Sequence, residues 1–402
     1  MIFRSSSGGG LPVGYVAPMP EAGPMLRMAD GSEWLRGGVL FSPADYPVLA
    51  KVAAGRVFGR LVGFAPATST PTTQPARIGS VVVAGRSLPG VVRSADGGKT
   101  WAELNAGGYF FLSIVAVGGV FRALAVNDFA QTVMRALSSV DGINWAQSGT
   151  VDIGVPVAKA AGVAVGTGAI FAAAKTGNAT AVLRVDGAGA ISVRSNGVLN
   201  TATQNLTDIQ VVASGQALGV FTFAYGNTDS TPAGGVSNDG GATWAQAAGI
   251  TQSQMYSGGA AFAGGSLLHF AGGRLNVHKD MVGAPTVSVA SDGLPTPVYF
   301  SWGYRLFDTP AGALLVSPAE NMGVLLDSNG RVTTALGMLP VIPQFSMLTR
   351  TAAGIAFFSS QGAGAGYYES DLVNPDYVGQ PTAQMAANGN ASSYWVNYIK
   401  GK

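Results

Sequence analysis

The 402-residue sequence contains no cysteine, only two histidines, and few charges: Asp, Glu, Lys and Arg together make up 11% of it. Without cysteine there are no disulfides, no thiolate nucleophile and no Cys-ligated zinc or iron–sulfur site, so the redox compartment stays open. Net charge is +2 and the basic residues are scattered singly. Nucleic acid or an anionic membrane would need a clustered basic patch, so neither is an expected partner. Long apolar runs are also missing: the most weakly polar stretch, residues 160–174, is shorter than a bilayer span and is interrupted by Gly162, Gly166 and Gly168. The N-terminal stretch MIFRSSSGGGLPVGYV lacks the continuous apolar centre of a secretion signal. These absences lead us to expect a soluble chain without membrane insertion, metal or cofactor.

What is abundant is glycine, 58 residues, within a composition that is 47% hydrophobic. Small residues, Thr and Asn in place of Glu and Lys point to strands and turns rather than helices. One turn recurs: RSADGGKTWAEL at 93–104, SSVDGINWAQSG at 138–149 and VSNDGGATWAQAAG at 236–249. Aligned on its Asp, the series runs Asp96, Asp141, Asp186, Asp239, Asp292, Asp327 and Asp371, with intervals of 45, 45, 53, 53, 35 and 44 residues. Such a period is that of four-stranded propeller blades. Each unit reads as three short β-type runs ahead of its turn and a fourth after it, as in FLSIVAVGG, VFRALAV, VMRALSSVDG and INWAQSG. The expected fold is therefore all-β, a seven-bladed β-propeller, with six blades as the alternative because the 35-residue interval leaves little room for four strands.

The turns carry a resemblance. Ser94, Asp96, Gly98, Thr100 and Trp101, and again Ser237, Asp239, Gly241, Thr243 and Trp244, match the Asp-box (bacterial neuraminidase repeat) pattern in full; Ser139, Asp141, Gly142 and Trp145 match a variant one residue shorter. In proteins with this box it is a folding device between the third and fourth strands, on the face away from the ligand. The physical expectation agrees: the carboxylate accepts backbone N–H groups of its own turn, the glycines supply positive φ, and the Trp covers the turn and packs against the next blade.

Residues 1–65 do not follow the repeat and are expected to form a small attachment segment. Within them Asp30-Gly31, Trp34-Leu35, Ser42, Tyr46 and Leu49 resemble a phage tail-collar pattern, with the Trp and Asp-Gly in reversed order and its Cys absent. Ser42-Pro43 is a helix-start signal. The Pro/Thr-rich stretch 66–78 reads as a linker and 79–402 as the propeller. The aromatic C-terminal strand, Tyr394 to Ile399, is expected to close the ring, with packing on another subunit as the alternative.

Sialidase chemistry, the first implied by the box, requires an arginine triad, a Tyr–Glu nucleophile pair and an Asp acid/base. Arg77-Ile78-Gly79 departs from the Arg-Ile-Pro motif, and of the five glutamates only Glu103, Glu320 and Glu369 lie beyond residue 78. Glu369 follows Tyr368 directly, and adjacent strand residues face opposite ways. No catalytic residue and no metal ligand is assigned. Binding is expected instead, on the face opposite the turns, through connections bearing Asp128, Tyr225, Asn227, Asp229, His278, Lys279, Asp280 and Glu320; amides, carboxylates and aromatics together suit a sugar. The combined expectation is a virion protein of a bacteriophage tail or baseplate, a homotrimer made in the host cytoplasm, whose propeller contacts a bacterial surface glycan or protein. A purely architectural role and a sialidase-like glycan hydrolase are the alternatives.

Overall fold

Strands dominate because the runs are rich in Val, Ala and Phe and are punctuated by Gly turns, which suits sheets buried on both faces. The computed structural model describes residues 16–20, 25–27, 29, 33–36, 60–65, 70–175, 180–199, 206–224, 234–246, 258–271, 274–279, 287–290, 305–317, 322–336, 347–352, 354–359, 366–371 and 395–400. Before the repeats come β1 (Val16–Pro20), β2 (Met25–Arg27), β3 (Glu33–Arg36) and β4 (Arg60–Phe64). Then follow β5 (Ala76–Ile78), β6 (Val81–Gly85), β7 (Val91–Ser94) and β8 (Ala102–Leu104), which pair in that order as one sheet. The next sheet is β9 (Phe110–Val117), β10 (Val120–Val126), β11 (Val133–Ser139) and β12 (Ala146–Asp152). A third consists of β13 (Val157–Val165), β14 (Gly168–Lys175), β15 (Thr180–Val185) and β16 (Ile191–Leu199), and a fourth of β17 (Leu206–Ser214), β18 (Ala217–Ala224), β19 (Gly234–Ser237) and β20 (Ala245–Gln246).

The chain continues through β21 (Gly258–Ala263), β22 (Ser266–Ala271), β23 (Arg274–His278), β24 (Val287–Ala290), β25 (Arg305–Thr309), β26 (Gly312–Ser317), β27 (Met322–Leu326) and β28 (Val332–Leu336). These eight form a single sheet, because β21 and β25 pair in parallel at Gly258↔Arg305 and Gly259↔Leu306. The last strands are β29 (Leu348–Arg350), β30 (Gly354–Ser359), β31 (Gly366–Asp371) and β32 (Trp395–Lys400).

The architecture is an all-β propeller. Among the described residues there is no α-helix, and the ring holds five separate four-stranded sheets plus the eight-stranded one, not the seven or six separate sheets that the turn intervals predict. The parallel pair is the reason: two inner strands lie close enough at adjacent glycines to bond directly. Apolar seams join each sheet to the next. Phe111 and Ile114 pack with Val83 and Val91, Phe171 with Leu124, Val220 with Ile170, Ala260 with Phe221, and Phe357 with Phe307. The circle closes where Val82 and Val92 meet Phe358 and Tyr367.

Closure itself departs from the sequence expectation. The sheet of β29, β30 and β31 takes its fourth strand from β4, with Gly366↔Phe64 and Tyr367↔Gly63 in register. The C-terminal strand β32 lies instead in a separate sheet of order β1-β32-β3-β2, paired with β1 from Val16↔Ile399 to Pro20↔Trp395 and with β3 at Leu35↔Ile399. The compositional boundary at 65 therefore cuts through the ring. Nor is the whole 66–78 stretch a loose linker: Thr73 and Gln74 are buried, and Thr72 N–H donates to the Gly85 carbonyl at 2.8 Å. Ser42, Tyr46 and Leu49 lie outside the described residues.

Candidate functional site

The recurrent turns are backbone devices, and their bonds can be followed atom by atom. Asp96 Oδ1 accepts the Lys99 and Thr100 backbone N–H groups at 3.0 and 2.9 Å and the Ser94 hydroxyl at 2.8 Å; its Oδ2 accepts the Thr100 hydroxyl at 2.6 Å. Ser94 Oγ in turn accepts Gly98 N–H at 2.8 Å. Ser237, Asp239, Gly241 and Thr243 repeat the set, with 2.6 Å between the Thr243 hydroxyl and Asp239 Oδ2. In the shorter copy Asn144 does the Thr's work, donating from Nδ2 to Asp141 Oδ2 at 2.8 Å, a substitution the spacing alone did not flag. Hydrogen bonding to the charged form holds all three carboxyls well below the usual carboxylate range: bonds from Thr100 act on Asp96, from Asn144 on Asp141 and from Thr243 on Asp239.

Each Trp donates its Nε1–H to a Gly carbonyl of its own turn, at 2.8 Å for Trp101, 3.3 Å for Trp145 and 3.1 Å for Trp244. That bond pins the ring on the side facing back along the ring. Trp101 meets Phe358 and Tyr367 edge-on at 5.1 and 5.3 Å, Trp145 joins the cluster of Val83 and Val91, and Trp244 that of Ile170. The expected packing on the next blade is thus corrected: the contact is with the preceding sheet. Ser94 is buried and its hydroxyl serves three partners, so Ser94→Ala is expected to lower stability by about 1–3 kcal/mol. A urea titration would show this as a lower midpoint at unchanged slope.

The structure also redistributes the expected binding residues. Strand β23 ends at the same end of its meander as the Asp turns, so Lys279, which follows it, lies on the turn face rather than opposite it. Lys279 confirms the level, donating to the Ser328 carbonyl and to Asn329 Oδ1 at 2.8 and 3.0 Å, beside the Asp327 turn. His278 is fully buried and offers no surface to a partner. Asp292 comes after β24 in the chain, so at this point the turn series does not fall between the third and fourth strands. Asp128 does lie in the β10–β11 connection on the opposite face, exposed, with Oδ1 accepting Ala130 N–H at 3.0 Å. Beside it Phe129 is 48% exposed and stands 4.5 Å from Phe110, and Leu88 in the β6–β7 connection is 50% exposed. Composition had drawn attention to polar loop residues and missed these apolar ones. Tyr225, Asn227, Asp229, Asp280 and Glu320 lie outside the described residues.

Glu369 does have a tyrosine partner, two residues away instead of one. Tyr367 and Glu369 share a strand face, the hydroxyl donates to Oε1 at 2.6 Å, and Arg77 of the neighbouring sheet pairs with the same oxygen. Burial, followed by the Glu369 charge, pushes the Tyr367 phenol upward, away from the phenolate that a nucleophile requires. The trio fastens the closing seam.

Along the ring axis lies a cavity of about 570 Å³. Its walls are the inner strands β9, β13, β17, β25 and β29, and its mouth reaches the turn face at Gly166, Gly215 and Thr351. Two amides line it at mid-depth. Gln74 Nε2 donates across to the Gly162 carbonyl at 2.7 Å, while Gln210 donates to the Ala260 and Leu306 carbonyls at 2.8 and 3.0 Å and accepts Ala260 N–H at 2.9 Å. Arg350 Nη1 donates to Asp308 Oδ2 at 2.7 Å. Burial raises the Asp308 pKa to about 6, against the pull of Arg350. Asp208 and Arg305 pair nearby at 3.8 Å, and burial lowers the Arg305 pKa against that partner. Inner-strand residues from five sheets meet here, so no local sequence pattern marks the cavity. Among the described residues no cluster of three or more His, Asp or Glu has metal-binding geometry.

No protein-family model and no curated protein matches the sequence. Solved structures do resemble the fold. YCF48 from Cyanidioschyzon merolae is 14% identical with a TM-score of 0.46, covering 86% of this chain and 99% of its own. BamB from Moraxella catarrhalis is 11% identical with a TM-score of 0.43, covering 89% of this chain and 99% of its own.

Proposed function

We propose that this chain is a structural protein of a bacteriophage tail or baseplate, whose Asp-box propeller contacts the host cell surface while the sheet made by the chain ends attaches it to the virion. The observation that carries the reading is the division of labour in the topology: β1, β2, β3 and β32 form their own sheet, and the ring is completed without them. The two ends can therefore be held by other tail proteins without opening the ring. The face opposite the turns presents Phe129, Leu88 and Asp128, an apolar and acidic combination suited to stacking on a sugar and accepting its hydroxyls. On this reading the eight-stranded sheet is two four-stranded meanders side by side, and the ring has seven blades. Trimeric assembly and a place at the tail tip complete the reading.

Adsorption tests it. Purified full-length protein is expected to bind host bacteria and to block infection, and a Phe129→Ser, Leu88→Ser double variant to lose binding by at least about tenfold, since central aromatic anchors carry most of a contact's energy. Protein that neither adsorbs nor blocks infection would refute the host-contact role. New reducing ends released from host polysaccharide would replace binding by hydrolysis.

A further inference from the structure

We infer that the axial cavity is a binding site for a small carboxylate, held by Arg350 at its charged end and enclosed by the inner strands along the rest of its body. This inference stands apart from the host-surface reading, which uses the opposite face of the ring.

Arg350 is the charged group that the cavity leaves open. Its side chain keeps 43% of its surface, whereas that of Asp308 keeps 8%. Only Nη1 is engaged, by Asp308 at 2.7 Å, and no described residue accepts from Nη2 or Nε. A guanidinium is a planar fork of donors that matches a carboxylate in two parallel bonds, and one already oriented by a buried acid loses little freedom on binding. The other charges near the axis are accounted for: Asp208 and Arg305 face each other at 3.8 Å. The amides do not compete, because Gln74 and Gln210 are committed to backbone groups of the inner strands.

The rest of the lining is mainly Val, Ala and Gly from the inner strands, with Leu348 beside Arg350. These small side chains leave room for a compact body beside the guanidinium, with Leu348 as its apolar contact. At about 570 Å³ the cavity falls within the range of small-molecule sites. Glycines at the rim, Gly166 and Gly215, keep the mouth clear of side chains on the turn face. A small carboxylate comes from two sources: a free organic acid, or the C-terminal carboxylate of another chain entering the mouth.

Calorimetric titration of the full-length protein separates them. The probes are 4-phenylbutanoate and N-acetyl-Ala-Leu, the latter with its C-terminus free or amidated. At least one free acid is expected to bind, with Arg350→Gln weakening it by at least about tenfold and Arg350→Lys restoring part of the affinity. Ala164→Phe, which places a ring in the exposed lining of β13, is expected to abolish binding while the melting temperature shows the fold intact. Binding of phenylbutanoate alone assigns the site to free acids, and preferential binding of the free dipeptide assigns it to a chain end. The inference is overturned if neither acid binds, if the amidated dipeptide binds as well as the free one, or if Arg350→Gln binds as tightly as the parent.

Discussion

Gly98→Ala is expected to destabilise the protein by roughly 2–5 kcal/mol, a large share of a typical folding free energy. Gly98 sits at φ +95°, where an L-side chain is strained by roughly 1–2 kcal/mol. A Cβ added there would also lie 2.3 Å from Cδ1 and Cε1 of Tyr367. That ring cannot move aside: it is fully buried, its hydroxyl is bonded to Glu369, and it packs against Trp101 and Phe358. Overpacking of such a core adds roughly 1–3 kcal/mol. Gly97→Ala is the control. It has φ +76° but meets only Arg77 Nη2 at 3.5 Å, so only the backbone strain is expected. Equal losses in the two variants, measured by urea unfolding, would remove the Asp96 turn from its role as the fastener of the closing seam.

The second large effect is acid sensitivity through His269. Its imidazole is buried against Phe221, Nδ1 has no hydrogen-bond partner, and burial, followed by the His278 charge, pushes its pKa from 6.5 down to about 3. A depressed histidine pKa means that the unfolded chain binds the proton more readily. Stability is then fully present above about 6.5 and falls as pH drops toward 3, by roughly 3 kcal/mol at pH 4. Asp308 acts in the opposite sense: its pKa is raised to about 6, so protonation between pH 6 and 4 favours the folded state. The three turn aspartates, held below their ordinary range, lose their contribution only below about pH 4. His269→Phe is therefore expected to remove most of the acid loss between pH 6 and 4. Chemical denaturation at a series of pH values reads this directly. An unchanged pH profile in the variant would show that His269 takes its proton without cost in the folded protein.

How much of this was legible in the sequence follows from how each feature is specified. The Ser94, Asp96, Thr100 and Trp101 set reads directly, because a turn held by its own side chains is encoded within eight residues. The connection after β23 did not, since the sequence that directly follows Lys279 lacks the Asp-Gly pair that made Asp292-Gly293 look like a turn. Ring closure by β4 was hidden because Phe64 and Gly366 are far apart in sequence and no local signal says that β31 lacks a following partner. A terminal strand pattern at 395–400 was visible, but its place between β1 and β3 depends on residues at the other end of the chain. The same holds for the axial cavity, where Gln74, Gln210 and Arg350 come from parts of the chain more than a hundred residues apart. Tyr367 and Glu369 illustrate a finer point: an alternation of two brought them onto one face, while attention to neighbours in sequence had paired Glu369 with Tyr368.

Site-resolved native-state hydrogen exchange tests the central claim, a ring closed by a strand from the N-terminal side with the chain ends in a sheet of their own. Backbone amides of β4 are expected to exchange together with those of β30 and β31, at the free energy of global unfolding. The amides of β1, β3 and β32 should form a separate unit. Exchange of β4 with β1 and β3, well before β31, would contradict the account.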